Sequence, residues 1–294
     1  MYINSKTILT GLFANPAKHS LSPIIHNSSF KKLGLNYTYL SFEVENNNLE
    51  NAINSIRALS MRGVNISMPY KSEVIKYLDF VDETSNLIQS VNTIINDNGY
   101  LKGYSSDGYG FIKSLEDENI FLNNKKATIL GLGGASYSII LAMCLENIKE
   151  INIFSRSGKS STILDNIKNK YNKEILVHSL YDIELLKKSV LSSDILINTT
   201  PVGMIKGLNK DNLEYSLIED KSFFREGLIV YDCIYNPIET KLLRIAKECN
   251  CNTINGLGML IHQGALSFNM WTNCDMPTDY IKDILKNNIY ETNS

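Results

Sequence analysis

Ala127-Thr128-Ile129-Leu130-Gly131-Leu132-Gly133-Gly134-Ala135-Ser136 is the stretch on which the fold turns. A buried-type strand runs straight into a glycine-rich turn, and the apolar segment from Tyr137 to Asn147 reads as the helix that follows. In such a unit the first glycine permits a tight turn. The second lets the backbone approach a pyrophosphate, which the helix N-terminus attracts through its free N–H groups and its dipole. A G-x-G match alone is weak evidence and fits a simple glycine-rich turn. Here the strand-turn-helix context is right, and another strand, Ile151 to Phe154, begins at about the 20-residue spacing of the dinucleotide fingerprint. Ser136 stands where the third glycine usually does.

Downstream, Ile175 to Val177, Ile195 to Asn198 and Leu228 to Tyr231 are further apolar runs, most of them separated by helical segments. That rhythm predicts a doubly wound parallel sheet. Upstream, Thr7 to Ala14, Asn36 to Val44 and Gly63 to Met68 read as strands. Ser22 to Leu33, Asn48 to Leu59 and a segment from about Tyr70 read as helices. Val91 to Ile95 and Tyr100 to Tyr104 flank Asn98-Gly99, a pair that tolerates positive φ and marks a hairpin. The expected fold is α/β throughout: an N-terminal domain with a mixed sheet, residues 1–107, and a Rossmann-type domain, residues 108–255. The tail from Gly258 to about Asn287 reads as two helices.

With 29 basic and 31 acidic residues dispersed along 294, the net charge is -2 and no basic stripe invites nucleic acid. A small-molecule partner is the better expectation. No run reaches the roughly 18 apolar residues of a membrane span, and Met1 to Lys6 lacks a secretory pattern. The five cysteines are thinly spread, without metal-ligand spacing, so they read as reduced thiols of a cytoplasmic protein with no metal.

The end of the second Rossmann strand bears on cofactor choice. An NAD site usually carries an acid there, for the ribose 2′-hydroxyl. This chain has Ser155-Arg156-Ser157-Gly158-Lys159, two cations and hydroxyl donors suited to a 2′-phosphate. NADP is therefore favoured over NAD; the bland alternative is a surface turn.

Three polar clusters fall at strand ends in the first domain. In His19-Ser20-Leu21-Ser22-Pro23, Ser22 reads as an N-cap with Pro23 at N1, which leaves Ser20 unexplained and free to hold a carboxylate with it. Lys71 follows Ser67-Met68-Pro69-Tyr70; taken alone, such a lysine is more often solvent-exposed than catalytic. Asp107 sits in Ser105-Ser106-Asp107-Gly108, at the expected domain junction. A lysine and a carboxylate meeting in a cleft would suit proton transfer to an alcohol beside a nicotinamide. Spacing does not show that they meet.

Together with Asn15-Pro16, Asn65 to Lys71, Val91-Asn92-Thr93, Tyr231-Asp232, Tyr235-Asn236-Pro237 and Asn255-Gly256-Leu257-Gly258-Met259-Leu260 with Gln263, these segments resemble the shikimate dehydrogenase family in content and order over nearly the whole chain. The resemblance implies reversible, NADP-dependent reduction of 3-dehydroshikimate to shikimate, on the pathway to chorismate and the aromatic amino acids. It implies that Lys71 and Asp107 are the proton-transfer pair, with Lys71 leading. Ser20 and Ser22 would hold the substrate carboxylate with Tyr235 near it; Ser67, Asn92, Asp107 and Gln263 would hydrogen-bond the ring hydroxyls and reacting oxygen. Gly131, Gly133, Gly134 and Ala135 would cradle the cofactor, Ser155, Arg156 and Ser157 its 2′-phosphate, and Gly256 and Met259 would lie near the nicotinamide. The tail helices, in residues 256–294, would return to complete the first domain. Monomer and homodimer are both compatible. Ser67 replaces the family's commoner threonine, and Ser105-Ser106 its usual Asn-Thr, so the alternative is a quinate/shikimate dehydrogenase of broader specificity. A non-catalytic NADP sensor is the rival from another class.

Overall fold

The computed structural model describes residues 3–204 and 211–293, with side chains placed for 3–204 and 213–286. It separates into two compact units, residues 1–110 with 261–294 and residues 111–260.

In the first unit β1 (Ile8–Ala14), α1 (Ser22–Leu33), β2 (Tyr37–Glu43), α2 (Leu49–Ala58) and β3 (Gly63–Ile66) form a parallel β-α-β-α-β run. After it come β4 (Phe80–Val81), α3 (Glu83–Ile88), β5 (Thr93–Asp97) and β6 (Tyr100–Tyr104). The sheet order is β2-β1-β3-β5-β6-β4, and β5 runs antiparallel to both β3 and β6, so the sheet is mixed. Asn98 and Gly99 take φ of 53° and 93° between β5 and β6, as the hairpin reading requires. One face is closed by α2, whose Ile53 and Ile56 pack with Phe13, Val64, Ile94 and Leu101.

Two local expectations fail for identifiable reasons. No α-helix starts at Tyr70; a 3₁₀ turn covers Glu73–Tyr77 instead. The Lys71 carbonyl accepts the N–H of Val91 at 2.8 Å, so it is not available to an i+4 amide. Ser22 is not the N-cap of α1. Leu21 holds that position without a side-chain bond, and it is the Ser20 hydroxyl that accepts the Ser22 N–H, at 3.2 Å. α3 and β4 were not anticipated, although Asp82 caps α3 by accepting from the amides of Thr84 and Ser85.

α4 (Asp107–Glu116) leads into the second unit, where β7 (Lys126–Leu130), α5 (Gly134–Leu145), β8 (Glu150–Ser155), α6 (Thr162–Tyr171), β9 (Glu174–Ser179), α7 (Ile183–Ser192), β10 (Ile195–Asn198), β11 (Ile229–Asp232), α8 (Lys241–Glu248) and β12 (Asn252–Ile254) follow. Every strand pairing is parallel, in the order β12-β11-β10-β7-β8-β9. The order reverses between β7 and β10, which is where open α/β sheets bind ligands. The inner strands β7 and β10 are buried on both faces, as their uninterrupted apolar runs demand.

α9 (Leu257–Thr272) carries the chain back into the first unit, and α10 (Thr278–Asn293) packs on α1. Phe268 and Trp271 of α9 join His26, Phe30 and Tyr39 in an aromatic cluster on the sheet face opposite α2. Arg62 closes the C-terminal end of α9: its guanidinium donates to the carbonyls of Trp271 at 2.9 Å and Asn96 at 2.9 Å.

Candidate active site

Lys71 follows β3, on the turn that ends at the 3₁₀ segment, and Asp107 opens α4. Their side chains meet: Lys71 Nζ lies 2.6 Å from Asp107 Oδ2. The carboxylate is nearly buried, its side chain 9% exposed, while that of Lys71 is 22% exposed. Asn92, at the entrance to β5, donates its amide to the other oxygen, Oδ1, at 2.7 Å. Both carboxylate oxygens thus face donors, the arrangement of an ionised carboxylate beside an ammonium. The ammonium keeps access to solvent while its partner does not.

The other first-unit candidates stand on different elements. Ser20 and Ser22 occupy the start of α1, with Ser22 buried and Ser20 half-buried beside exposed Lys18 and His19. Ser67 is half-buried just beyond β3, where its N–H donates to the Phe13 carbonyl. Gln263 is half-buried on α9, one turn ahead of Ser267.

In the second unit Gly131 has φ +97°, and a Cβ there would stand 2.7 Å from Thr200 Cγ2 and 2.9 Å from Thr199 Oγ1. Only glycine fits that turn. Gly133 and Gly134 differ: among the described residues no atom comes within 4 Å of where their Cβ would be. Their backbone is open at the N-terminus of α5, the cradle a phosphate needs. Ser136 replaces the third glycine with a function of its own. Its buried hydroxyl accepts the Gly133 N–H at 3.0 Å and meets Thr199 Oγ1 at 2.7 Å, pinning the turn to the loop after β10. Ala135 lies on the first turn of α5, half-buried.

At the end of β8, Ser155 is buried and its hydroxyl accepts the Gly158 N–H at 3.2 Å, which folds the segment so that Arg156, Ser157 and Lys159 are all exposed. No acid occupies this turn. Open glycines at a helix N-terminus, followed by an exposed cationic turn, fit a phosphorylated dinucleotide. Gly256 approaches the loop after β11 so closely that a Cβ would fall 2.1 Å from the Cys233 carbonyl oxygen; Met259 is buried on α9. Tyr235, half-buried in that same loop, has its phenol pushed above the ordinary value by burial.

The shikimate dehydrogenase substrate-binding domain model matches residues 12–94, and the shikimate 5′-dehydrogenase C-terminal domain model matches residues 256–286. A shikimate dehydrogenase (NADP(+)) of Alkaliphilus metalliredigens is 43% identical over 284 residues, spanning 96% of this chain and 98% of that protein. The chain belongs to the shikimate dehydrogenase family. Within it, a quinate/shikimate dehydrogenase of Escherichia coli is 39% identical over 289 residues, 97% of this chain and 99% of that one. Among solved structures of shikimate dehydrogenases, that from Listeria monocytogenes in complex with shikimate and NAD superposes with a TM-score of 0.89 at 40% identity, covering 97% and 98% of the two chains. The family and the α/β fold anticipated from the motifs are therefore those observed.

Several buried polar contacts have no role in the sequence motifs. Asn198 and Asp232, at the C-terminal ends of β10 and β11, are joined at 3.0 Å, and Thr240 donates to Asp232 at 2.7 Å. Thr93 and Ser267 meet at 2.7 Å behind Asn92. The available signal was a polar residue closing a buried apolar run, which both Asn198 and Asp232 display.

Proposed function

We propose that the protein is an NADP-dependent shikimate dehydrogenase, catalysing the reversible reduction of 3-dehydroshikimate to shikimate on the route to chorismate and the aromatic amino acids. The observation that carries this reading is the Lys71–Asp107 pair with Asn92 on the second carboxylate oxygen, in a chain aligned end to end with shikimate dehydrogenases. We assign to this reading cytoplasmic action on small molecules alone, as a monomer or homodimer, with residues 1–107 and 256–294 serving the substrate and residues 108–255 the cofactor. No described helix is long and apolar enough to cross a membrane.

NADPH, when bound, supplies the hydride that reduces the C3 carbonyl. Gly131 and Gly133, whose own N–H groups are bonded to the Phe154 carbonyl and the Ser136 hydroxyl, would shape the turn around its pyrophosphate, Gly134 and Ala135 would offer it backbone N–H groups, and Ser155, Arg156 and Ser157 would take the 2′-phosphate. Gly256 and Met259 would lie near its nicotinamide end. Ser20, Ser22 and Tyr235 receive the substrate carboxylate as hydroxyl donors, while Ser67, Asn92, Asp107 and Gln263 hold the ring hydroxyls. As the carbonyl oxygen gains negative charge, Lys71 stabilises it and donates the proton that makes the alcohol. Asp107 accepts from Lys71 throughout, so it orients the ammonium and balances its charge. In the oxidation direction Lys71 in its amine form takes the hydroxyl proton.

The test is to mix the protein with shikimate and NADP, and separately with quinate or NAD, and follow nicotinamide reduction by absorbance. Turnover confined to shikimate with NADP is expected. Comparable turnover with quinate or NAD would instead favour a quinate/shikimate dehydrogenase, the reading that Ser67 in place of threonine and the E. coli relative's name keep in play. No turnover from folded, NADP-binding protein would leave a sensor.

A further inference from the structure

Asn92 has a carboxamide whose two ends look alike in shape, so its orientation must be imposed by neighbours. The Ser106 backbone N–H lies 2.8 Å from Asn92 Oδ1. An N–H only donates, so the oxygen must face it and the NH₂ must face Asp107. Two hydroxyls reinforce that choice, Ser106 Oγ at 3.1 Å and Thr93 Oγ1 at 3.2 Å.

Behind Thr93 the network continues with one sense. Asn65 has its NH₂ end fixed by the Asn92 carbonyl oxygen, an acceptor 3.1 Å away, and it donates to Ser267 Oγ at 2.9 Å. Ser267 and Thr93 share a 2.7 Å contact in which either hydroxyl can donate, and Ser267 Oγ also lies 3.2 Å from the Gln263 carbonyl. Tyr39 starts the series by donating to Asn65 Oδ1 at 2.9 Å. With Ser267 as donor to Thr93, the Thr93 proton is left for Asn92, and Tyr39, Asn65, Ser267, Thr93 and Asn92 each donate to the next group, the last to Asp107. Tyr39, Thr93 and Ser267 are wholly buried, and Asn65 and Asn92 nearly so. In such surroundings hydrogen bonds are stronger and polarise one another along a chain.

We propose that Thr93, with Ser267 behind it, is a positioning residue for the dehydrogenase reaction: its hydroxyl locks the Asn92 amide in the orientation that holds the Asp107 carboxylate against Lys71. Neither residue touches the reacting pair; Thr93 acts through Asn92. The proposal rests on the reading of Lys71 and Asp107 given above. It also ties α9, which bears Gln263, to the proton-transfer pair through side chains.

Two variants of one residue separate hydroxyl from shape. Thr93→Val keeps the branched volume and removes the donor; Thr93→Ser keeps the donor and removes a methyl. With a lost buried hydrogen bond read as a rate ratio, kcat/KM for shikimate should fall about tenfold in Thr93→Val and stay within about twofold in Thr93→Ser. KM for NADP should not move in either, since the cofactor residues lie in the other unit. A merely structural role gives the reverse pattern, with Val tolerated and Ser impaired, and that result overturns the proposal, as does equal damage from both. If Thr93→Val does not fold, Ser267→Ala decides. Folded Ser267→Ala with unchanged kcat/KM overturns the proposal, and a loss of about threefold supports it. A wild-type protein that fails to oxidise shikimate would instead overturn the dehydrogenase reading itself, so the two failures are distinguishable.

Discussion

In the first unit the proposed ligand-facing groups are side chains, and the lysine, carboxylate and amide among them are joined to one another, with buried hydroxyls behind. In the second they are largely backbone: glycines at a helix N-terminus with open space over them, pinned from beneath by the Ser136 hydroxyl. The difference suits the two tasks. Donors for a phosphate need only N–H groups pointing outward and no Cβ in the way. A proton donor must hold a defined charge at a defined place, so it needs a counter-charge and a fixed set of hydrogen bonds.

The strongest way to break the comparison is to remove the proton carrier. Lys71→Ala should lower kcat by about a hundredfold or more, the usual contribution of a general acid–base group, with NADP affinity retained. Steady-state kinetics beside cofactor titration by fluorescence would check both halves. Wild-type turnover from Lys71→Ala would remove Lys71 from the mechanism.

The glycine turn offers the next test, and it divides support from contact. Gly131→Ala is strained by its positive φ and by Thr199 and Thr200, so it should lower the melting temperature and weaken NADP binding together. Gly133→Ala meets no protein atom among the described residues, so its melting temperature should be near wild type while NADP affinity falls about tenfold. Equal melting temperatures for the two variants would contradict the distinction.

This contrast explains what could be read in the sequence. A site built from backbone leaves its mark as glycines at fixed spacing, and Gly131, Gly133 and the strands around them were legible from residues 127–154 alone. A site built from side chains leaves scattered polar residues whose meaning depends on contacts far apart in the chain. Lys71 and Asp107 are 36 residues apart, and Thr93 and Ser267 are 174 apart; no periodicity joins them, and although their chemistry made Lys71 and Asp107 candidates, only the family resemblance assigned them as a pair. The helix expected at Tyr70 is absent for the same reason, because the Lys71 carbonyl is claimed by Val91, in the loop ahead of β5. At α1 the capping differs from the expected Ser22 N-cap because Ser20, two places ahead, supplies the bond.

The units also bury ionisable groups in opposite ways, and this gives the smallest effect to look for. His26 stacks on Tyr39 at 4.4 Å, and neither ring nitrogen has a hydrogen-bond partner among the described residues; burial pulls its pKa down to about 3. Asp232 accepts from Thr240, Asn198 and the Ile234 N–H, yet burial still pushes its pKa up to about 6. Between pH 6.5 and 3 the unfolded chain binds a proton at His26 that the folded one does not, so the first unit loses stability as pH falls, by about 1.4 kcal/mol per unit from this group. Between pH 6 and 3.8 the folded chain binds a proton at Asp232 that the unfolded one does not, so this group adds stability to the second unit as pH falls. Trp271, the one tryptophan, belongs to the first unit and sits 5.2 Å from the His26 ring, so its fluorescence reports that unit. Denaturant midpoints by fluorescence from pH 7 to 4 should fall more steeply in wild type than in His26→Phe, which keeps a stacking ring without the orphaned nitrogens. Parallel slopes for the two proteins would mean that His26 exchanges its proton in the folded state, and the aromatic cluster would then have to admit water.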